Sequence, residues 1–266
     1  MKKKRLFLWG ILFFLLSVCA CGSENNVKEE ELPEIVIGGS LYAPYFYRDV
    51  SGSYVGIDAE LAAEACRRIG YKPVFTEVDL SKRNKLLSEG TIDCIWCCFT
   101  MDGREEEYQW AGPYLYTRRV FVVKKDSDIR ELSDLEGKTI ALQAGSTSEN
   151  IILRESDPDI PKLTDINTFR TMGEVFTDLR KGYADAIVGH EAALLIYTRE
   201  YGDEYRYLPM TVHRGKLGVA FSRDADPAIC ESLSQALQEM TEDGTTGRII
   251  EKYGLDVEQN LYGGNR

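Results

Sequence analysis

Residues 93–114 read DCIWCCFTMDGREEEYQWAGPY. The first part, 93–99, is apolar and has strand character. A polar turn follows, holding Thr100 and Arg104, then the acidic run Glu105, Glu106 and Glu107, then the aromatic segment from Trp110 to Tyr114. An arginine just beyond a strand end, beside a hydroxyl, suits a small carboxylate. The guanidinium offers two parallel hydrogen bonds, and the threonine hydroxyl and free backbone N–H groups add more. The same arginine also suits a surface role, paired with Glu105, Glu106 or Glu107, and exposed pairs of that kind contribute little. This stretch alone leaves both readings open.

Working outward toward the N-terminus, 91–99 is preceded by a short helix, 81–88, ended by Gly90, and by a strand at 74–78. Before these come a strand at 34–37 ended by Gly38 and Gly39, an aromatic loop at 40–47, and a turn at 49–52. Asp58 reads as the N-cap of a helix over 60–68, closed by Gly70. On the other side, 119–125 is extended and apolar. Ser133 and Glu136 have capping-box spacing, as do Ser146 with Glu149 and Thr171 with Glu174. Strands are expected at 139–142, 163–168, 184–188 and 216–221, with helices to 154, to Gly182 and over 190–201. Asp226 and Pro227 open a helix whose Ile229, Leu233, Leu237 and Met240 recur at helical spacing as core. A last helix covers 245–253, and no signal follows Leu255. Strand–helix alternation that restarts near residue 120 predicts an α/β fold with mainly parallel pairing. No short repeat is present, which excludes a solenoid.

The 266 residues suffice for one large domain or two smaller lobes. A net charge of −11 argues against a nucleic-acid partner, because phosphate neutralisation needs clustered Lys and Arg. The acidity reads as solubility. With only two histidines, His190 and His213, a His-rich metal site is excluded, and no cofactor is expected. Of the seven cysteines, Cys94 and Cys97 have the CxxC spacing of redox and zinc sites. They lie in a strand-like run with no second pair, so Cys66, Cys94, Cys97, Cys98 and Cys230 read as small apolar residues. Their pairing is left open by the sequence.

The N-terminus has a basic stretch, Lys2 to Arg5, and an apolar stretch, 6–18, short for a membrane span and suited to export. It ends in Val18-Cys19-Ala20-Cys21-Gly22, which resembles a bacterial lipobox with Cys21 as the lipidated residue. Cleavage there removes four basic residues and takes the net charge from −11 to −15. A multiply acylated cysteine supplies the chains that stable anchoring needs. Residues 22–33 are polar and read as a tether.

The order of segments resembles the extracytoplasmic solute-binding proteins of ABC transporters, polar amino-acid type. The resemblance rests on Ala43-Pro-Tyr-Phe-Tyr47, Gly56-Ile-Asp-Ala-Glu-Leu61, Leu87-Ser-Glu-Gly-Thr-Ile-Asp93, Gly112-Pro-Tyr114, Asp134-Leu-Glu-Gly-Lys138, Ala144-Gly-Ser-Thr147 and Gly182-Tyr-Ala-Asp-Ala186. It implies two α/β lobes, 34–117 with 214–266 and 118–213, joined by crossings near 119–123 and 210–214, with ligand between them. It implies a monomer, lipid-anchored on the outer side of the cell membrane, that binds a small amino-acid-like molecule and delivers it to an ABC permease.

The resemblance also implies a site. Arg104 would take the ligand carboxylate, with Thr100 beside it, although the turn between them is one residue shorter than the family's. Backbone N–H groups at Gly145, Ser146 and Thr147 would meet it from the other lobe. Tyr42 would form an aromatic wall, and Trp110 and Tyr114 would pack within the lobe. The family's ammonium-anchoring aspartate falls on His190, followed by Glu191. A neutral imidazole supplies no negative charge. Either Glu191 is the anchor or the ligand is not a simple α-amino acid. The expected ligand-binding set is Tyr42, Cys98, Thr100, Arg104, Ser146, Thr147, His190 and Glu191. Two other functions fit the same scaffold: a sensor for a signalling partner, or an enzyme using His190 with Glu191, or Cys97 or Cys98 as nucleophile. No nucleophile–base motif supports the last.

Overall fold

Two long strands hold the structure together. They are β6 (Gln109–Lys124) and β11 (His213–Phe221), paired antiparallel from Phe221↔Gln109 to His213↔Arg119. On one side of them lie β1 (Glu34–Gly39), β4 (Lys72–Glu77) and β5 (Cys94–Ile95), mutually parallel, with β5 joined antiparallel to β11. On the other side lie β7 (Thr139–Gln143), β8 (Asp165–Phe169) and β9 (Ala186–His190), again parallel, with β9 joined antiparallel to β6. The order is β4-β1-β5-β11-β6-β9-β7-β8, with β10 (Tyr205–Tyr207) also on β6. β2 (Tyr47–Arg48) and β3 (Tyr54–Val55) form a separate hairpin.

The computed structural model describes residues 32–154, 158–209 and 213–262. The leader, the lipobox at Cys21, the tether up to 31, and part of the second expected crossing, 210–212, lie outside them. The helices are α1 (Ile57–Arg68), α2 (Arg83–Ser88), α3 (Thr147–Leu153), α4 (Met172–Lys181), α5 (Glu191–Glu200), α6 (Pro227–Glu242), α7 (Thr245–Lys252) and α8 (Val257–Leu261). Three have caps that the sequence announces. Thr171 and Glu174 close a reciprocal capping box on α4, Ser146 Oγ accepts from Glu149 N–H on α3, and Asp226 caps α6 with Pro227 in its first turn.

The core follows the period-two rule of strands. On β6, Val120 and Val122 join Ala141, Val175, Phe176 and Leu179 on one face. Phe121 and Val123 join Ile140, Leu142, Ala186 and Val188 on the other. This part of the sheet is therefore buried on both faces. Each fully buried Val, Leu, Ile or Phe among them stabilises by about 1.5–3 kcal/mol. In the other half, α1 and α6 cover Ile35, Ile37, Trp96, Leu115 and Leu217. A second cluster of Phe46, Ile92, Ile95, Phe99 and Tyr108 fills the opposite face.

Five expectations are corrected, the last of them at the end of β1. The strand over 91–99 shrinks to Cys94–Ile95, because the chain leaves the sheet and Cys98 takes a left-handed φ of 54°. Asp58 does not cap α1. The helix starts earlier, after Gly56, and the Asp58 carboxylate is buried against other partners. The capping box expected at Ser133 and Glu136 is instead formed by Glu131 and Asp134 around a short 3₁₀ turn, Leu132–Leu135. The tail carries a helix, α8, capped by Asp256, which accepts from Gln259 N–H.

Gly38 and Gly39 do not end β1; they are its last residues. A Cβ on Gly39 would lie 2.8 Å from Cys97 Cβ and 2.9 Å from the Phe46 ring. Neither neighbour is the free end of a flexible chain. Gly39→Ala is expected to destabilise the protein by about 1–3 kcal/mol, the usual cost of overpacking. Urea unfolding measures it, and an unchanged midpoint would contradict this packing.

Candidate functional site

A cavity of about 300 Å³ opens where the two halves of the sheet meet. One wall is the segment after β5, with Cys97, Cys98, Phe99, Thr100 and Arg104. Tyr42 and Ser40 come from the loop after β1, and Leu80 and Arg83 from the turn into α2. The other wall is the loop from β7 into α3, Gln143 to Thr147, with His190 at the end of β9. Arg104 and Thr147 also line an adjoining cavity of about 290 Å³. Seven of the eight expected site residues therefore share one space: Tyr42, Cys98, Thr100, Arg104, Ser146, Thr147 and His190.

Glu191 is not among them. Its carboxylate forms a two-pronged pair with Arg118 Nε and Nη2, on a separate small cavity with Arg214 and Asn260. As the first residue of α5 it points away from His190, and Arg118 already occupies both its oxygens. Of the two alternatives that the sequence left, Glu191 as anchor is therefore the one whose residue lies apart from the cavity.

Arg104 is half-buried. Among the described residues no carboxylate lies within 4.0 Å of it, and Glu105, Glu106 and Glu107 are exposed. Its Nη1 donates to the Thr100 carbonyl at 3.0 Å, and its guanidinium lies 5.0 Å from the Phe99 ring centroid. Trp110 Nε1 donates to the Arg104 carbonyl and the indole stacks on Phe99. Arg104 is thus braced by aromatic rings and keeps donors for a ligand.

Across the cavity, Glu149 accepts from Gly145 N–H at 2.6 Å, and Ser146 N–H donates to the Gln143 carbonyl at 3.3 Å. Two of the three backbone donors that the sequence pattern offered, at Gly145 and Ser146, are therefore used internally. Thr147, the third, lines the cavity.

Two buried groups that sequence reading missed set the floor of the site. The first is Asp58, only 1% exposed. It accepts from Cys98 N–H and, at 2.9 Å, from Tyr114 O–H. It thereby pins the left-handed turn that leads into Thr100 and Arg104. Burial pushes its pKa up to about 7. The second is Arg119, also 1% exposed, with Nε and Nη1 lacking partners. Burial lowers its pKa from the ordinary guanidinium value. Arg119 sits opposite His190 in the β6–β9 register, and its Nη2 lies 3.1 Å from His190 Nε2. Thr117, two residues earlier on the same face of β6, has Oγ1 2.7 Å from His190 Nδ1. A guanidinium only donates, so Nε2 accepts and the ring proton resides on Nδ1, donating to Thr117. Tyr42 and Tyr45 pack edge-on to the same ring. A charged residue at an inward position of the apolar run 119–125 was the available signal.

Comparison with known proteins agrees with this architecture. The family of bacterial extracellular solute-binding proteins, family 3, matches residues 35–256. The chain belongs to that family. Among its relatives, the probable amino-acid-binding protein YxeM of Bacillus subtilis (strain 168) is 28% identical over 97% of this chain and 98% of its own length. The histidine-binding periplasmic protein of Salmonella typhimurium is 29% identical over 99% of this chain and 100% of its own. A solved ancestral arginine-binding protein bound to arginine superposes with a TM-score of 0.70 at 28% identity, covering 84% of this chain and 98% of that one. Among the described residues of this family 3 protein, no helix is long and apolar enough to cross a membrane, and no cluster of three metal-ligating side chains occurs. The five described cysteines are thiols, four of them buried, and burial pushes Cys66 and Cys97 up to about 12.

Because the Asp58 pKa rises on folding, from 3.8 to about 7, the folded state binds the proton more tightly. Stability from this group is full below about pH 4 and is lost as pH rises through about 7. The stability of the wild type relative to Asp58→Asn is therefore expected to fall by roughly 3–5 kcal/mol between pH 4 and pH 8. Chemical unfolding of both proteins across that range checks it; a constant difference would show that Asp58 is not held as described.

Proposed function

We propose that this family 3 protein is the substrate-binding lipoprotein of an ABC importer. It captures a polar amino acid or amino-acid-like small carboxylate and releases it to a membrane permease without chemical change. The single observation that carries the reading is Arg104, unpaired with any described carboxylate and facing, across a solute-sized cavity, the α3 loop of the opposite half of the sheet. A guanidinium in such a place binds a carboxylate through two parallel hydrogen bonds. The relatives described as amino-acid-, histidine- and arginine-binding fit that chemistry.

In this reading 34–117 with 214–266 form one lobe and 118–213 the other, and β6 and β11 bend as the lobes close on the solute. Tyr42, Cys98, Thr100 and Arg104 meet the ligand from the first lobe, and Ser146, Thr147 and His190 from the second. Lipid on Cys21 holds the monomeric protein on the outer face of the membrane, with residues 22–33 as tether.

The test uses a soluble form beginning at residue 22. A thermal-shift screen of amino acids and small organic acids is expected to find a stabilising ligand. Calorimetry with Arg104→Ala should then show a loss of about 1.5–3 kcal/mol of binding, the range for hydrogen bonds to a charged group. Unchanged affinity would remove Arg104 from the site. Mass spectrometry of the recovered ligand should show it unaltered, and a product would revive the enzyme reading.

A further inference from the structure

The charges around the cavity are one-sided. Its charged lining residues are Arg83 and Arg104, and no Asp or Glu lines it. Behind His190 lies Arg119, almost fully buried, with two guanidinium nitrogens unsatisfied and no carboxylate within ion-pairing distance among the described residues. The nearest acidic groups are committed elsewhere. Asp58 accepts from Cys98 N–H and Tyr114 O–H. Asp102 accepts from Lys216 N–H at 2.8 Å. Glu149 accepts from Gly145 N–H, and Glu191 pairs with Arg118.

His190 cannot reverse this sign. Both its ring nitrogens are engaged, Nδ1 with Thr117 and Nε2 with Arg119. A second proton on the ring would face the guanidinium. Tyr42 and Cys98, which line the cavity beside His190, also feel the Arg119 charge. An ammonium entering at this end would meet a buried positive charge without a counter-ion, where low local dielectric strengthens repulsion. An oxygen acceptor there would instead offset that charge.

We infer that the solute taken by this site has no cationic amino group at the His190 end; it is a net-anionic small carboxylate, bound at one end by Arg104 and presenting a second oxygen acceptor toward His190 and Arg119. The inference deepens the proposed function and rests on its assignment of Arg104 to the ligand carboxylate. It makes His190 and Arg119 the residues that determine specificity, with Arg119 acting through His190 and the local field.

The test compares matched pairs on the wild-type soluble form by calorimetry: succinate with aspartate, and glutarate, 2-oxoglutarate and N-acetylglutamate with glutamate. Arginine, lysine and histidine complete the panel. The expected result is that at least one ammonium-free acid binds ten-fold or more tighter than its amino-bearing counterpart, and that the cationic amino acids bind weakest. Equal or tighter binding of the amino-bearing partner in every pair, with loss of that binding in Arg104→Ala, would overturn this inference and leave the proposed function standing. If no carboxylate of either kind binds, both are overturned. His190→Asp supplies an independent readout. It places an anion before Arg119 and is expected to shift the pairwise preference at least ten-fold toward the amino-bearing member; an unchanged preference counts against the inference. The wild-type panel decides the matter even if this variant does not fold.

Discussion

Strand β6 is hydrogen-bonded along its first part to β11 and along its last part to β9 and β10. The handover occurs at Arg119, which is opposite His213 on one side and His190 on the other. A strand shared in this way ties both halves of the sheet to one backbone. It also brings side chains from remote parts of the sequence onto one face at the centre of the molecule. Thr117, Arg119 and His190 meet because antiparallel register and period-two alternation bring them to one face of the sheet.

That constraint shapes the chemistry. The cavity is walled by both halves of the sheet over buried groups, so each charge on its wall acts strongly. Here the wall of the main cavity is cationic or neutral, and the acidic groups nearby are bound to N–H or O–H donors or to arginine. The burial of Asp58 against Cys98 and Tyr114 and the burial of Arg119 against His190 are both energetically costly. Both stand under the same cavity, as expected where function and not stability selects a residue.

Much of the secondary structure was legible because it depends on near neighbours in the chain. The capping box at Thr171 and Glu174, Pro227 after Asp226, and the short apolar runs of β7 and β9 are local signals. Where the reading failed, a distant partner had intervened. Asp58 looked like a cap but is drawn to Cys98 and Tyr114. The apolar run 91–99 looked like a full strand but is released after Ile95, as the chain turns at Cys98 toward the cavity. In the site, Arg104, Thr100 and Thr147 were legible as a pattern of donors, whereas the place of Glu191 was not, since its bond to Arg118 depends on how β6 and α5 lie together.

By itself the sequence determined the α/β class, the order of most elements, the net acidity, and Arg104, Thr100 and the 143–147 loop as candidate donors. All of these follow from periodicity, capping and turn chemistry within a few residues. Only the tertiary structure decided that His190 is backed by Arg119, that Asp58 is sealed beneath Cys98, and that Glu191 is spent on Arg118. Those outcomes rest on strand register and on burial, which bring together residues that no local pattern links.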